Sequence, residues 1–298
     1  MSDKLYRVLS SSSLGYQLYS LIDKEISIHK TRKSLSYRGN KIIIGDIVKL
    51  DSDGVISSIE ERSNFLPRPK LVNCDISYVV TSCKEPLFSS YLLDKFLTFI
   101  NFYKLKANII LTKADLLNEE EFKTLQDRMD YYKKLSYNVY FVDSHDENKF
   151  DFKLLKNEIK NKSISFIGQT GVGKSSLINL ICPNFSRRVD ELYVSSGRGR
   201  HTTKEIILLP YEDCFIFDTP GFSELELKDI KSLDLAYCFP GYSEFGDCFF
   251  KDCKHLSMMK GCNINKKIDE GVLSSDSYQN YLKLLDEVKE NDLWKKKI

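Results

Sequence analysis

Gly168, Gly173, Lys174 and Ser175 stand in the spacing G-x-x-x-x-G-K-[ST], within the stretch SFIGQTGVGKSS. Residues of these types at this spacing hold phosphate. The glycines let successive backbone N–H groups turn inward around phosphate oxygens. The candidate cradle runs through Gly168, Gln169, Thr170, Gly171, Val172 and Gly173, and Ser176 follows the Lys174–Ser175 pair. Lys174 is expected to reach the β- and γ-phosphates, and the Ser175 hydroxyl to ligate Mg2+. By average composition the pattern arises by chance in roughly one chain in a hundred of this length. Context makes chance a poor account here: an apolar run, SISFI, leads in, and an amphipathic stretch, SSLINLI, leads out. A helix starting near Lys174 would aim its positive end at the phosphates.

Three further constellations fit the same chemistry. Asp218-Thr219-Pro220-Gly221 follows the apolar run CFIF. An Asp at a strand end is where a second Mg2+ ligand belongs, and the Gly221 N–H can approach a γ-phosphate. Thr112-Lys113-Ala114-Asp115 follows NIIL. The Asp115 carboxylate can accept from the N1–H and N2 amine of guanine; adenine would leave that acceptor unpaired. Lys113 is expected over the loop and base, and Ser144 beside the base edge. Between the phosphate loop and DTPG lies GRGRHTT, residues 197–203. Its paired threonines suit a switch loop, in which Thr202 or Thr203 completes the Mg2+ shell. Together these motifs select GTP over ATP.

Their order along the chain is unusual. Small GTPases run phosphate loop, switch Thr, DxxG, then guanine motif. Here the guanine motif (112–115) precedes the phosphate loop (168–175), so the α/β domain is circularly permuted. New ends at loops are tolerated because domain termini lie close together. The chain after DTPG then leads straight into the C-terminal region. The second switch is thereby tied covalently to whatever that region binds.

A fourth cluster is chemically separate. Cys248-x4-Cys253-x-His255-x6-Cys262 offers three thiolates and one imidazole within fifteen positions. Four ligands of this softness fit one tetrahedral, structural Zn2+. The other five cysteines, Cys74, Cys83, Cys182, Cys214 and Cys238, sit mostly among apolar residues and read as buried free thiols. In a cytoplasmic protein, clustered cysteines point to metal before disulfide.

The elements that must position these groups follow from pattern. Residues 1–66 break into short strand-like runs (YRVL, GYQLYSLI, NKIIIGDIVKL, GVISSIEE), which suggests an OB-fold barrel. NFLPRPK, residues 64–70, reads as a linker. From residue 75 apolar runs alternate with helical stretches: DISYVVT, a helix near 90–104, ANIILT, a helix near 119–135, NVYFV, a helix near 151–161, then SISFI. Such alternation implies a parallel sheet covered on both faces, the architecture of a P-loop GTPase domain. KEIILL and CFIFD add further strands. Residues 274–290 read as a helix with Tyr278, Tyr281, Leu282, Leu285 and Val288 on one face. The expected division is therefore 1–66 OB-fold, 67–225 permuted GTPase, and 226–298 a helical, zinc-binding C-terminal domain.

Bulk properties agree with a folded protein. The chain has 298 residues, 42% hydrophobic and 29% charged. No apolar run approaches the roughly 18 residues that span a bilayer, and the N-terminus lacks a signal-peptide core. A cytoplasmic monomer without membrane contact is expected. The net charge of +2 is uneven: residues 1–70 carry 12 Lys/Arg against 8 Asp/Glu. The excess lies in residues 29–41, with Lys30, Arg32, Lys33, Arg38 and Lys41 and no acid. That is a footprint for nucleic acid or a solvated basic loop.

A basic OB-like domain, a permuted GTPase and a Cys-Cys-His-Cys segment, in that order, resemble the RsgA (YjeQ/YloQ) family of ribosome-small-subunit-dependent GTPases. GDIV, NFLPRP, TKAD, GQTGVGKSSLIN, GRGRHTT, DTPGF and C-x4-C-x-H carry the resemblance, which covers nearly the whole chain. It implies GTP hydrolysis to GDP stimulated by the 30S subunit, late 30S maturation, and binding to 16S rRNA. It also implies a catalytic role for His201. The residue after Gly221 is Phe222, which cannot orient water as the Gln of Ras-like enzymes does. A neutral imidazole can. The sequence departs from the family in two places. Thr112 stands where many GTPases have Asn, which is expected to remove an amide that steadies neighbouring loops. Six residues separate His255 from Cys262, where five are expected.

Overall fold

The computed structural model describes residues 4–32, 41–143, 145–195, 206–219, 225–257 and 259–294. The chain divides into two compact units: Met1–Ile76, Lys153–Phe166 and Ser175–Pro220 form the first, and Ser77–Phe152, Ile167–Lys174 and Gly221–Ile298 the second.

The first unit opens with strands β1 (Leu5–Ser12), β2 (Gly15–Ser20), β3 (Ile26–His29), β4 (Ile47–Leu50) and β5 (Ile56–Ile59). They form an antiparallel sheet in the order β3-β2-β1-β4-β5. A parallel bridge between Thr31 and Ile56 brings its two edges together, giving the OB-fold barrel. Val8, Leu18, Ile42, Val48 and Ile56 fill the interior. NKIIIGDIVKL is not one strand. Gly45 has φ +96°, and the buried Asp46 carboxylate accepts from Ile43 N at 2.7 Å, so the chain turns and β4 begins only at Ile47. Arg62 grips the same carboxylate with Nε at 2.7 Å and Nη2 at 2.9 Å. Losing one partner of a buried pair also orphans the Ile43 N–H. Asp46→Ala is therefore expected to cost about 2–3 kcal/mol; an unshifted urea midpoint would show that the pair contributes nothing.

NFLPRPK is not an open linker. Phe65–Pro67 (β6) and Lys70–Val72 (β7) pair as a hairpin. The first unit continues with helix α3 (Phe152–Glu158), β11 (Ser163–Ile167), α4 (Lys174–Ile181), α5 (Phe185–Ser195), β12 (Ile207–Tyr211) and β13 (Cys214–Asp218). β11 and β13 are parallel, but β12 runs antiparallel to β13. Within this unit the barrel is anchored on β13: Tyr19 meets Phe215 edge to face at 5.3 Å, and the Arg7 guanidinium lies 5.0 Å from the same ring.

The second unit holds β8 (Ile76–Ser82), β9 (Ala107–Thr112) and β10 (Val139–Phe141), parallel in the order β10-β9-β8. Its helices are α1 (Ser90–Phe102), α2 (Glu119–Lys134), α6 (Ser232–Cys238), α7 (Tyr242–Phe245), α8 (Asn263–Asp269) and α9 (Ser275–Trp294). Helix α9 continues past residue 290. Its buried face is Ser277, Asn280, Tyr281, Leu284, Leu285 and Val288, with Leu282 only half-buried. A polar clasp fastens it to α1 and α2: the buried Asp94 carboxylate accepts from Tyr132 Oη at 2.9 Å, Asn280 Nδ2 at 2.8 Å and Ser277 Oγ at 3.3 Å. Burial pushes that carboxyl up to about 7.

Candidate active site and metal centre

The phosphate loop lies between β11 and α4, as its spacing requires. Two of its glycines are obligatory for distinct reasons. A Cβ at Gly168 would lie 2.1 Å from the Val80 carbonyl oxygen of β8, and Gly173 sits at φ +87°. Lys174 folds back over the loop and donates to the carbonyls of Gly168 at 2.6 Å and Gln169 at 2.7 Å. Burial lowers its ammonium to about 8, the opposite of what phosphates would do. Ser175 and Ser176 are exposed on the first turn of α4.

The guanine motif meets this loop directly. Thr112 ends β9 fully buried, and its hydroxyl donates to the Val172 carbonyl, with the Thr81 carbonyl 3.3 Å away. The amide is absent, as expected, and the Thr112 hydroxyl reaches the loop that an amide was expected to serve. Lys113, at φ +58°, extends its ammonium to the carbonyls of Glu85 and of Gly171, the latter at 3.3 Å. Asp115 is exposed in the short 3-10 turn Ala114–Leu116 that follows. Thr112→Val would leave the Val172 carbonyl buried without its donor. GTP affinity is expected to fall about tenfold, within the roughly 1–3 kcal/mol of an orphaned group. Thr112→Ser should bind as the parent does in a titration with a fluorescent GTP analogue.

Asp218 is the last residue of β13, half-buried. Beside it the sequence reading missed a fastening. The buried Thr219 hydroxyl donates to the Phe166 carbonyl at 2.7 Å, tying the start of DTPG to the strand before the phosphate loop. The signal was the Thr itself, a small donor at a strand end. Ser144, His201, Thr202, Thr203 and Gly221 lie outside the described residues. Of the basic stretch, Arg32 is engaged by Asp51 at 2.6 Å.

Cys248, Cys253, His255 and Cys262 come together with ligand atoms all within 4.8 Å of one another. His255 Nδ1 lies 3.5 Å from both Cys248 Sγ and Cys262 Sγ, and those sulfurs are 3.9 Å apart. A tetrahedral Zn2+ with ordinary bond lengths needs about 3.5 Å between S and N and about 3.8 Å between sulfurs. The geometry fits that ion, and the sixth spacer residue does not displace Cys262. The surroundings prepare the donors. His255 Nε2 lies 3.0 Å from the Ala236 carbonyl, which fixes the proton there and leaves Nδ1 to ligate. Backbone N–H groups of Asn263 and Asn265 point at Cys248 Sγ and Cys262 Sγ, at 3.3 and 3.5 Å. Tyr278 and Tyr281 of α9 donate to the carbonyls of His255 and Lys254, at 2.9 and 2.8 Å. Of the remaining cysteines, Cys74, Cys83, Cys182 and Cys214 are buried and Cys238 is half-buried.

Known proteins share this architecture. The family model described as RsgA GTPase matches residues 59–228. A small ribosomal subunit biogenesis GTPase RsgA from Malacoplasma penetrans is 38% identical over 288 residues, covering 95% of this chain and 99% of that protein. Its namesake from Bacillus subtilis is 35% identical over 262 residues, covering 85% and 87%. The crystal structure of YjeQ from Thermotoga maritima superposes with a TM-score of 0.82 at 29% identity, over 96% of this chain and 98% of that one. That of YloQ, described as a circularly permuted GTPase, gives 0.80 at 28%, over 96% and 95%. With its motif order, its barrel and its cysteine cluster accounted for along nearly its whole length, this chain belongs to the RsgA GTPase family and is a circularly permuted GTPase.

Proposed function

We propose that this GTPase acts on the small ribosomal subunit during its late maturation, binding 16S rRNA as a cytoplasmic monomer and hydrolysing GTP when the subunit is engaged. The observation that carries this reading is the end-to-end similarity to relatives named for small-subunit biogenesis, at 38% identity over 288 residues. The expected division into residues 1–66, 67–225 and 226–298 then assigns RNA contact to the first and last parts and chemistry to the middle one. No helix among the described residues is long and apolar enough to cross a membrane.

In this reading GTP sits with its phosphates in the loop of Gly168–Lys174 and its base against Asp115. Lys174 leaves the loop carbonyls for the β- and γ-oxygens. Ser175, Asp218 and one of Thr202 and Thr203 supply hard oxygen donors for Mg2+, which when bound neutralises phosphate charge. His201 orients the attacking water, since Phe222 cannot. Docking on the subunit brings this residue into place, which makes turnover subunit-dependent. Zn2+ in the Cys3His cluster serves structure only.

The deciding experiment is GTP turnover with purified 30S or 50S subunits, for the parent and His201→Ala. Strong stimulation by 30S alone, lost in His201→Ala, is expected. Equal turnover with either subunit or with none would overturn the assignment. Full stimulation of His201→Ala would remove only the catalytic histidine.

A further inference from the structure

We propose that Lys84 and Glu121, which lie outside the nucleotide motifs, are positioning residues for the guanine base. Their ion pair pins the loop after β8, and that loop carries the carbonyl that holds Lys113 in place. This deepens the proposed reading of GTP binding and rests on Lys113 and Asp115 being the residues that hold the base.

Ser82 ends β8 directly opposite Thr112, the last residue of β9. Past that point the two chains stay fastened. The Cys83 N–H donates to the Thr112 carbonyl at 2.9 Å. The Ser82 hydroxyl donates to the Lys84 carbonyl at 2.5 Å, which curls the loop. The Lys113 ammonium then donates to the Glu85 carbonyl and reaches the Gly171 carbonyl of the phosphate loop at 3.3 Å. Cys83 is buried, and its burial, with the Asp115 carboxylate adding to it, pushes the thiol up to about 12. The loop after β8 thus bonds to Lys113 and lies within electrostatic reach of Asp115.

Burial does little to hold Glu85 there. Glu85, Pro86 and Leu87 are exposed, Leu87 by 81%. Lys84, one residue earlier, supplies the hold: its ammonium donates to both carboxylate oxygens of Glu121, at 2.9 and 3.1 Å. Glu121 is itself fixed by the capping box of α2. It accepts from Asn118 N at 3.0 Å, while Asn118 Oδ1 accepts from Glu121 N at 2.9 Å. The Lys84 ammonium, and after it the Asn118 N–H, hold the Glu121 carboxyl below the usual carboxylate range. Helix α2 begins at Glu119, just past the turn that carries Asp115. One ion pair therefore joins the loop after β8 to the helix start, with the guanine motif between them. The two side chains are 36% and 40% exposed, so the pair adds little to global stability. Its effect falls on where Lys113 is held.

The test titrates the full chain with fluorescent GTP and GDP analogues in the presence of Mg2+. Lys84→Met and Glu121→Gln each remove one charge, and the Gln can still accept from Asn118 N and keep the cap. Each is expected to raise both dissociation constants about threefold, within what a part-exposed ion pair can carry. The double variant should lose no more than either single one, and Lys84→Arg should bind as the parent does. Turnover at saturating GTP should stay parental, because the phosphate side is untouched. Parental affinity in Lys84→Met refutes the proposal, and a lowered melting temperature beside it would make the pair structural alone. A loss confined to GTP would place the effect at the γ-phosphate and overturn the proposal equally, as would losses that add in the double variant. Asp115→Ala, measured alongside, keeps the two readings apart. Parental GTP binding by Asp115→Ala defeats the base-holding assignment itself. A large loss there with none in Lys84→Met removes only the ion pair.

Discussion

Lys174→Met loses GTP turnover by about 10²–10³-fold, the range seen when one preorganised charge-stabilising donor is removed. It also changes how stability responds to pH, in a direction the geometry dictates. Without nucleotide the Lys174 ammonium is packed into the loop against two carbonyls, and burial brings it down from 10.5 to about 8. A lysine whose folded value lies below its unfolded value penalises the native state wherever it stays charged. That penalty is complete below about 8, shrinks as pH rises, and is gone above the unfolded value near 10.5. Melting temperatures of parent and Lys174→Met, compared from pH 7 to 10, should therefore diverge in the parent's favour as pH rises. Saturating GTP with Mg2+ should abolish the trend, because phosphates stabilise the charged form. A pH-independent difference would mean that the two carbonyl bonds already offset the burial. The loop thus holds its lysine in a disfavoured setting that phosphate relieves, a strain placed where binding can use it.

What could be read from residues alone tracks how locally each feature is determined. ANIILT and SISFI coincide with β9 and β11 because strands covered on both faces are continuous apolar runs. The edges of the barrel were harder. ISIH forms β3, and its residues do alternate apolar and polar, but four positions make a short signal and the apolar Ile26 and Ile28 stay exposed. NKIIIGDIVKL looks like a strand throughout, but a buried Asp46 paired with Arg62, sixteen positions away, turns it at Gly45. Such a contact has no short-range signature. The same holds for the prolines of NFLPRPK, which sit in a hairpin; α5, by contrast, was legible and overlooked, since Phe185, Val189, Leu192 and Tyr193 stand at helical spacing. In the site, residue types with fixed spacing were legible, and their mutual bonds were not. Thr112 shows the difference: the absence of an Asn amide was legible, whereas the bond of its hydroxyl to the Val172 carbonyl was not.

Replacing a metal ligand should cost more than any core substitution in this chain. Structural zinc contributes on the order of 10–16 kcal/mol of apparent binding energy, and in small metal-held segments that energy is folding energy. Among the described residues of 246–262, hydrogen bonds from Tyr237, Tyr278 and Tyr281 reach the backbone, but the segment's buried side chains are the ligands Cys253, His255 and Cys262, and Phe249 and Phe250 face outward. In the metal-free chain, burial raises the Cys262 thiol to about 12, raises the Cys253 thiol and favours neutral His255, so these two thiolates depend on a cation to exist. Cys262→Ser is expected to abolish stoichiometric zinc and to expose residues 246–262 to protease. The loss should then spread to α9, which reaches this segment through the bonds of Tyr278 and Tyr281 to its backbone. It should stop at the clasp of Asp94 with Ser277 and Asn280, which owes nothing to the metal. Hydrogen exchange resolves the two ends of that sequence of events: fast exchange at 246–262 with protected amides near residue 280 is the expected pattern. Uniform protection in a zinc-free protein would show that packing alone holds the segment, and the cluster would then be a site the fold tolerates instead of one it requires.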